Sequence, residues 1–164
     1  MKKLMYTTEH GSLSIVHPAS KESLERVLGK LTEEEYRDHV ITRSIPPGIL
    51  NWKEIDEIAI PSSREFRGAW CDETPEATID IDLLKAKNIQ LDTLRVARQK
   101  EFENLGFPMR LHLDLEKAIL PIEVQAEQKR LRDATEPLKA LAVSGLNDEI
   151  QLNKIRQLGD PSVL

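Results

Sequence analysis

The stretch LMYTTEHGSLSIV, residues 4–16, decides the fold of the N-terminal part of the chain. It contains two β-prone runs, one through Tyr6 and one from Leu13 to Val16, separated by a turn at Glu9-His10-Gly11. Two such runs joined by a glycine-containing turn predict a β-hairpin. Because two strands alone are marginally stable, the hairpin needs a third strand or a helix to cover it.

Helix signals follow the hairpin directly. Ser20 is placed to cap a helix whose apolar positions are Leu24, Val27 and Leu28. Gly29 is predicted to end this helix, since glycine is favoured just beyond a helix C-terminus.

A second helix is predicted to begin at Thr32. The three glutamates of residues 33–35 lie in its first turn, where negative charge suits the positive end of the helix dipole. The prolines at 46 and 47 break this helix, and residues 57–61, EIAIP, then predict a third strand. Residues 1–72 are therefore predicted to form a compact α+β docking domain.

The remaining residues, 73–164, are predicted to be mostly helical. Leu83 and Leu94 fall on one narrow apolar stripe, a second stretch is interrupted by Pro121, and Asp148 is placed to cap a last short helix. A helix with so narrow a stripe needs a partner to bury it. The predicted fold class is α+β, a small N-terminal antiparallel sheet with helices followed by a C-terminal helical hairpin or bundle.

The composition restricts the classes of partner. The chain has 23 Lys and Arg against 28 Asp and Glu, a net charge of -5. Binding of nucleic acid requires a surplus of basic side chains on one face, so nucleic acid is not an expected partner. No apolar stretch approaches the length of a membrane span, so no membrane partner is expected either. Cys71 is the single cysteine, which excludes an internal disulfide.

No motif in the sequence predicts catalysis or cofactor binding. The histidines, His10, His17, His39 and His112, lack the spacing of metal ligands, and we interpret them as ordinary strand, loop or helix residues. Asp80 and Asp82 are better explained by a helix N-terminus than by a calcium loop, which would need a turn glycine and a closing glutamate. We therefore predict no catalytic, cofactor-binding or metal-binding residue.

The most distinctive segment is REFRGAW, residues 64–70. Arg64 and Arg67 could form a recognition surface with the aromatic residues, since arginine and tryptophan are favoured at binding hot spots. We favour a structural interpretation, in which Phe66 and Trp70 pack the segment against the sheet. In this interpretation the two arginines pair with acidic neighbours. The residues predicted to bind a protein partner are Arg64, Phe66, Arg67, Trp70, Leu131 and Leu138.

At these residues the chain resembles a family of small proteins encoded among the tail genes of tailed bacteriophages and prophages. The resemblance rests on Pro61 followed by the R-x-F-R-x-A-W block of residues 64–70. The family then shows an acidic loop, a helix with alternating Arg and Lys, and a K-x-x-L-R-D block, whose counterparts are residues 80–100 and the block KRLRD of residues 129–133. It implies a tail-associated protein that is located in the virion and assembled in the host cytoplasm. It implies no catalytic residue.

Three functions are consistent with these observations. The first is a non-enzymatic structural or interaction protein of the tail tip, baseplate or tail-fibre attachment region, oligomeric in the assembly and bound to other tail proteins, including the tail fibre. The second is a tail-fibre assembly chaperone, which binds the same kind of partner and then leaves. The third is a hydrolase acting on host surface material, for which a pocket with two facing carboxylates would be the evidence.

Overall fold

The computed structural model describes residues 2–74, 78–104 and 122–164. The chain divides into two compact units, Met1–Ile81 and Asp82–Leu164. The boundary lies after Ile81 and not after residue 72, because a short strand that ends at Ile81 pairs with one in the first unit. The predicted α+β class, with a small N-terminal antiparallel sheet and helices in the C-terminal part, is confirmed.

The first unit is built on a three-stranded antiparallel sheet. Its strands are β1 (Lys3–Thr7), β2 (Leu13–Val16) and β3 (Trp52–Ile55), in the order β2-β1-β3. The predicted hairpin is confirmed, with Leu4 opposite Val16 and Thr7 opposite Leu13. Its turn places Gly11 at a φ of 74°, a left-handed conformation that glycine adopts without steric cost.

The predicted third strand at residues 57–61 is wrong. Glu57–Ala59 forms a short 3-10 turn, and the third strand is Trp52–Ile55, which pairs with β1. Strand β3 directs Ile55 to one face of the sheet and Trp52 to the other, with charged residues between them. Because two of the four residues of β3 are charged, the strand lacks the alternation of apolar and polar residues by which a strand is recognised in a sequence.

Both faces of the sheet are covered. On one face, Leu4 packs with Val40 and Ile45, which belong to or directly follow the second helix. On the other face, Met5 packs with Trp70. The alternation of neighbouring residues along β1 therefore supplies two separate apolar clusters from one strand.

The helices of the first unit begin and end where the sequence predicts. They are α1 (Lys21–Leu28) and α2 (Glu33–Ser44), with Ser20 and Thr32 as N-caps. The expected apolar face of α1 is only partly covered, since Val27 is 81% exposed.

A two-stranded ribbon completes this unit, formed by β4 (Trp70–Cys71) and β5 (Asp80–Ile81). Asp80 is buried, and one of its carboxylate oxygens accepts hydrogen bonds from the Glu73 and Thr74 amides, at 3.2 and 3.0 Å, and from the Thr74 hydroxyl at 3.0 Å. The predicted helix-start role is therefore wrong for Asp80. It is right for Asp82, whose carboxylate accepts from the first amides of the following helix.

The second unit is helical. Its described helices are α3 (Leu83–Asn104), α4 (Ile122–Asp133), α5 (Glu136–Ala140) and α6 (Glu149–Leu158). Helix α3 contacts α4, α5 and α6, so the narrow stripe is buried by helices of the same chain. Asp148 caps α6 as predicted, whereas Pro121 lies outside the described residues. Within the described ranges, no helix combines the length and apolar character that crossing a membrane requires.

Candidate functional site

The segment of residues 64–70 folds into two successive tight turns. The Arg67 amide donates to the Arg64 carbonyl at 3.1 Å, and the Ala69 amide donates to the Phe66 carbonyl at 2.8 Å. These turns bury Phe66, Ala69 and Trp70 and leave both arginines exposed. The segment thus separates an apolar inner side from a cationic outer side.

Trp70 anchors the segment on the sheet. Its side chain belongs to the cluster that contains Met5, Ile55 and Ile79, and only 4% of its surface is exposed. Phe66 is also buried. The structural interpretation predicts that Trp70 anchors the segment on the sheet, and this is the arrangement found. Trp70 therefore positions the segment, and Arg64 and Arg67 form its exposed surface.

A cavity of about 150 Å³ lies beside this segment. We call it the arginine cavity, and define it by its lining residues: Ile15, His17, Ile60, Arg64, Arg67 and Trp70. The lining comes from β2 and the residue after it, from the residue just beyond the 3-10 turn, and from the segment of residues 64–70. None of the lining side chains is acidic.

The two guanidinium groups of the arginine cavity have no partner in the described part of the chain. Neither Arg64 nor Arg67 makes a salt bridge or a side-chain hydrogen bond there, which contradicts the predicted pairing with acidic neighbours. Some other basic side chains are paired: Lys53 lies 2.5 Å from Asp72, and Arg95 lies 2.6 Å from Asp92. Two guanidiniums together present ten N–H donors and no acceptor.

Trp70 adds a donor that is not satisfied. Its indole Nε1 is buried and has no hydrogen-bond partner among the residues that the structure describes. A buried donor left without an acceptor costs about 1–3 kcal/mol. Trp70 therefore anchors the segment and lines the arginine cavity, and its indole N–H lacks an acceptor in the described residues.

A larger cavity, of about 320 Å³, lies between β1, β3 and α2. Its charged groups already have partners. Arg37 lies 2.7 Å from Glu54, and Lys21 lies 2.6 Å from Glu33. This cavity has no unpaired charge comparable to that of the arginine cavity, so we regard the latter as the candidate site.

Two of the residues predicted to bind a partner lie elsewhere. Leu131 and Leu138 are fully buried in the helical unit, where they fill its core. The sequence interpretation missed His17, Ile15 and Ile60, because nothing local marks them as neighbours of the arginines. Within residues 2–74, 78–104 and 122–164, no group of three His, Cys, Asp or Glu side chains could hold a metal ion.

Comparison with known proteins finds no matching family model, no similar curated protein and no similar solved structure. The resemblance to phage tail proteins stays a prediction.

Proposed function

We propose that this chain is a non-enzymatic structural or interaction protein of a phage tail, which binds another tail protein through the surface around the arginine cavity. The observation that carries the proposal is the pair of exposed guanidiniums, Arg64 and Arg67, that have no acidic partner in the described residues. Unpaired charges that flank a cavity are available to a partner without first breaking an internal ion pair.

The composition of this surface supports the same proposal. Protein interfaces are enriched in arginine and in aromatic residues, and binding energy concentrates where such residues are held rigidly. Trp70 is packed on the sheet, and both arginines precede it within one short segment. Ile58, two residues before Ile60, is 95% exposed and adds apolar surface in the same part of the chain.

The phage context comes from the sequence resemblance, and particle composition tests it. We expect mass spectrometry of purified particles to detect the wild-type chain at a fixed ratio to a tail protein. The variant R64E/R67E should be lost from the particles, because reversed charges repel the surface that the arginines bind. The variant R26E/R43E makes the same charge change on α1 and α2, away from the cavity, and should be retained.

Absence of the wild-type chain from the particles would contradict a structural role in the tail. Equal retention of R64E/R67E and R26E/R43E would contradict binding through the arginine cavity.

A further inference from the structure

We propose that the arginine cavity binds a single carboxylate, supplied by an Asp or Glu side chain or by the C-terminus of a partner protein. This inference rests on the proposed function, since it names the chemistry of the group that the partner brings.

The donors of the cavity define the charge of its ligand. Arg64 and Arg67 offer only N–H donors, and the planar guanidinium matches the two oxygens of a carboxylate. No lining residue is acidic, so no carboxylate of residues 2–74, 78–104 or 122–164 lines this place. The cavity is therefore complementary to an anionic group that accepts several hydrogen bonds.

Trp70 contributes an aromatic wall to the cavity. Its indole N–H has no acceptor among the described residues, but the Nε1 atom has less than 1 Å² of accessible surface, so it does not border the cavity. Buried indole N–H groups in folded proteins usually have a partner. The Trp70 indole N–H signal therefore serves as a reporter of a ligand that contacts the indole ring.

The apolar walls favour a carboxylate over inorganic phosphate. Ile15, Ile60 and the indole ring line the same cavity as the arginines. The methylene groups that carry an Asp or Glu carboxylate gain from contact with such walls, whereas a fully hydrated phosphate does not. The volume of about 150 Å³ is large enough to admit a carboxylate and the methylene groups that carry it.

The charge of the whole chain restricts the partner further. With a net charge of -5, the molecule repels a polyanion at long range, so a nucleic acid or a densely acidic segment approaches unfavourably. An isolated carboxylate on an otherwise neutral protein surface does not meet this repulsion. We therefore expect one acidic side chain or chain terminus to enter the cavity.

The test uses the full chain and a short blocked peptide, acetyl-Gly-Glu-Gly-amide, with the Gln peptide of the same length as control. Two-dimensional NMR follows the two indole N–H signals, of Trp70 in the cavity and of Trp52 in β3, and the variant W52F assigns them. We expect the Glu peptide to shift the Trp70 signal in a saturable manner and to leave the Trp52 signal in place. The Gln peptide should bind at least tenfold more weakly.

Variants locate the effect. R64Q/R67Q removes both charges at exposed positions that have no side-chain partner in the described ranges, so the fold should be retained. We expect at least a tenfold loss of affinity for the Glu peptide. R26Q/R43Q, the matched control, should bind as the wild type does. Equal binding of the Gln peptide, unchanged affinity in R64Q/R67Q, or tighter binding of inorganic phosphate would each overturn the proposal.

The two proposals fail in different ways. If the chain is incorporated into particles but the Glu peptide does not bind, the carboxylate inference is wrong and the tail function stands. If the Glu peptide binds but the chain is absent from particles, the tail function is wrong and the carboxylate site stands.

Discussion

At the scale of single residues, Glu35 belongs to a capping motif at the start of α2, and the ionised form of its carboxylate stabilises the fold. The Glu35 carboxylate accepts hydrogen bonds from the Thr32 amide at 2.8 Å and from the Thr32 hydroxyl at 2.9 Å. The Thr32 hydroxyl oxygen in turn accepts from the Glu35 amide at 3.2 Å, which completes a capping box at the start of α2. The backbone hydrogen bond first, and then the side-chain one, lowers the pKa of Glu35 below its ordinary value of 4.5.

A pH dependence of stability follows from this lowered pKa. The ionised form of Glu35 is favoured in the folded state, so its contribution is present above pH 4.5 and is lost as pH falls through the folded-state pKa. We expect the variant E35Q to unfold at lower urea concentration than the wild type at pH 7, with the difference shrinking below pH 4.5. Urea titrations at several pH values measure this.

The control is E34Q, which removes the neighbouring exposed carboxylate but not the capping box. A stability difference between E35Q and the wild type that is the same at pH 7 and pH 3 would show that the hydrogen-bonded carboxylate does not make this contribution.

At the scale of elements, the packing of α3 on α6 depends on a polar residue inside an apolar stripe. Gln90 is buried in α3, and its amide nitrogen donates to the carbonyl of Gly159, the residue after α6, at 3.0 Å. A Cβ atom on Gly159 would lie 1.9 Å from the Gln90 Cγ. The sequence pattern marks Gln90 as an interruption of the stripe, whereas the structure makes it the contact that fixes the end of α6.

This contact predicts non-additive mutations. We expect G159A to destabilise the protein by about 1–3 kcal/mol, because the new methyl group displaces the Gln90 side chain. The double variant Q90A/G159A should lose less than the sum of the two single variants, since the space vacated by Gln90 admits the methyl group. Free energies of unfolding from urea titrations of the four proteins measure the coupling, and additivity within about 0.5 kcal/mol would contradict it.

The sequence predicts best the features that depend on residues close together in the chain. The caps at Ser20, Thr32 and Asp148 are confirmed because each depends on a side chain and an amide two or three residues away. The sequence analysis places the third strand wrongly because its pairing with β1 is a long-range contact, and no local feature of β3 identifies it as a strand. The buried role of Asp80 also depends on hydrogen bonds from Glu73 and Thr74, which are seven and six residues away in the sequence.

At the scale of the whole molecule, the candidate site is positively charged although the chain as a whole carries a net negative charge. The protein is acidic overall, yet Arg64 and Arg67 stand beside a cavity without an acidic partner in the described residues. The sequence indicates the arginines and the aromatic anchor, since they lie within one short segment. It does not indicate the cavity, because His17 and Ile60 reach it only through the folding of the first unit.

The proposed binding of a tail partner is tested most directly by the affinity of the purified chain for purified phage tail proteins, measured by isothermal titration calorimetry. We expect one of them to form a complex whose dissociation constant rises at least tenfold in R64E/R67E and less than twofold in R26E/R43E. A complex that tolerates both charge reversals equally, or no complex with any of these proteins, would contradict the claim that the chain works by binding a tail partner through the arginine cavity.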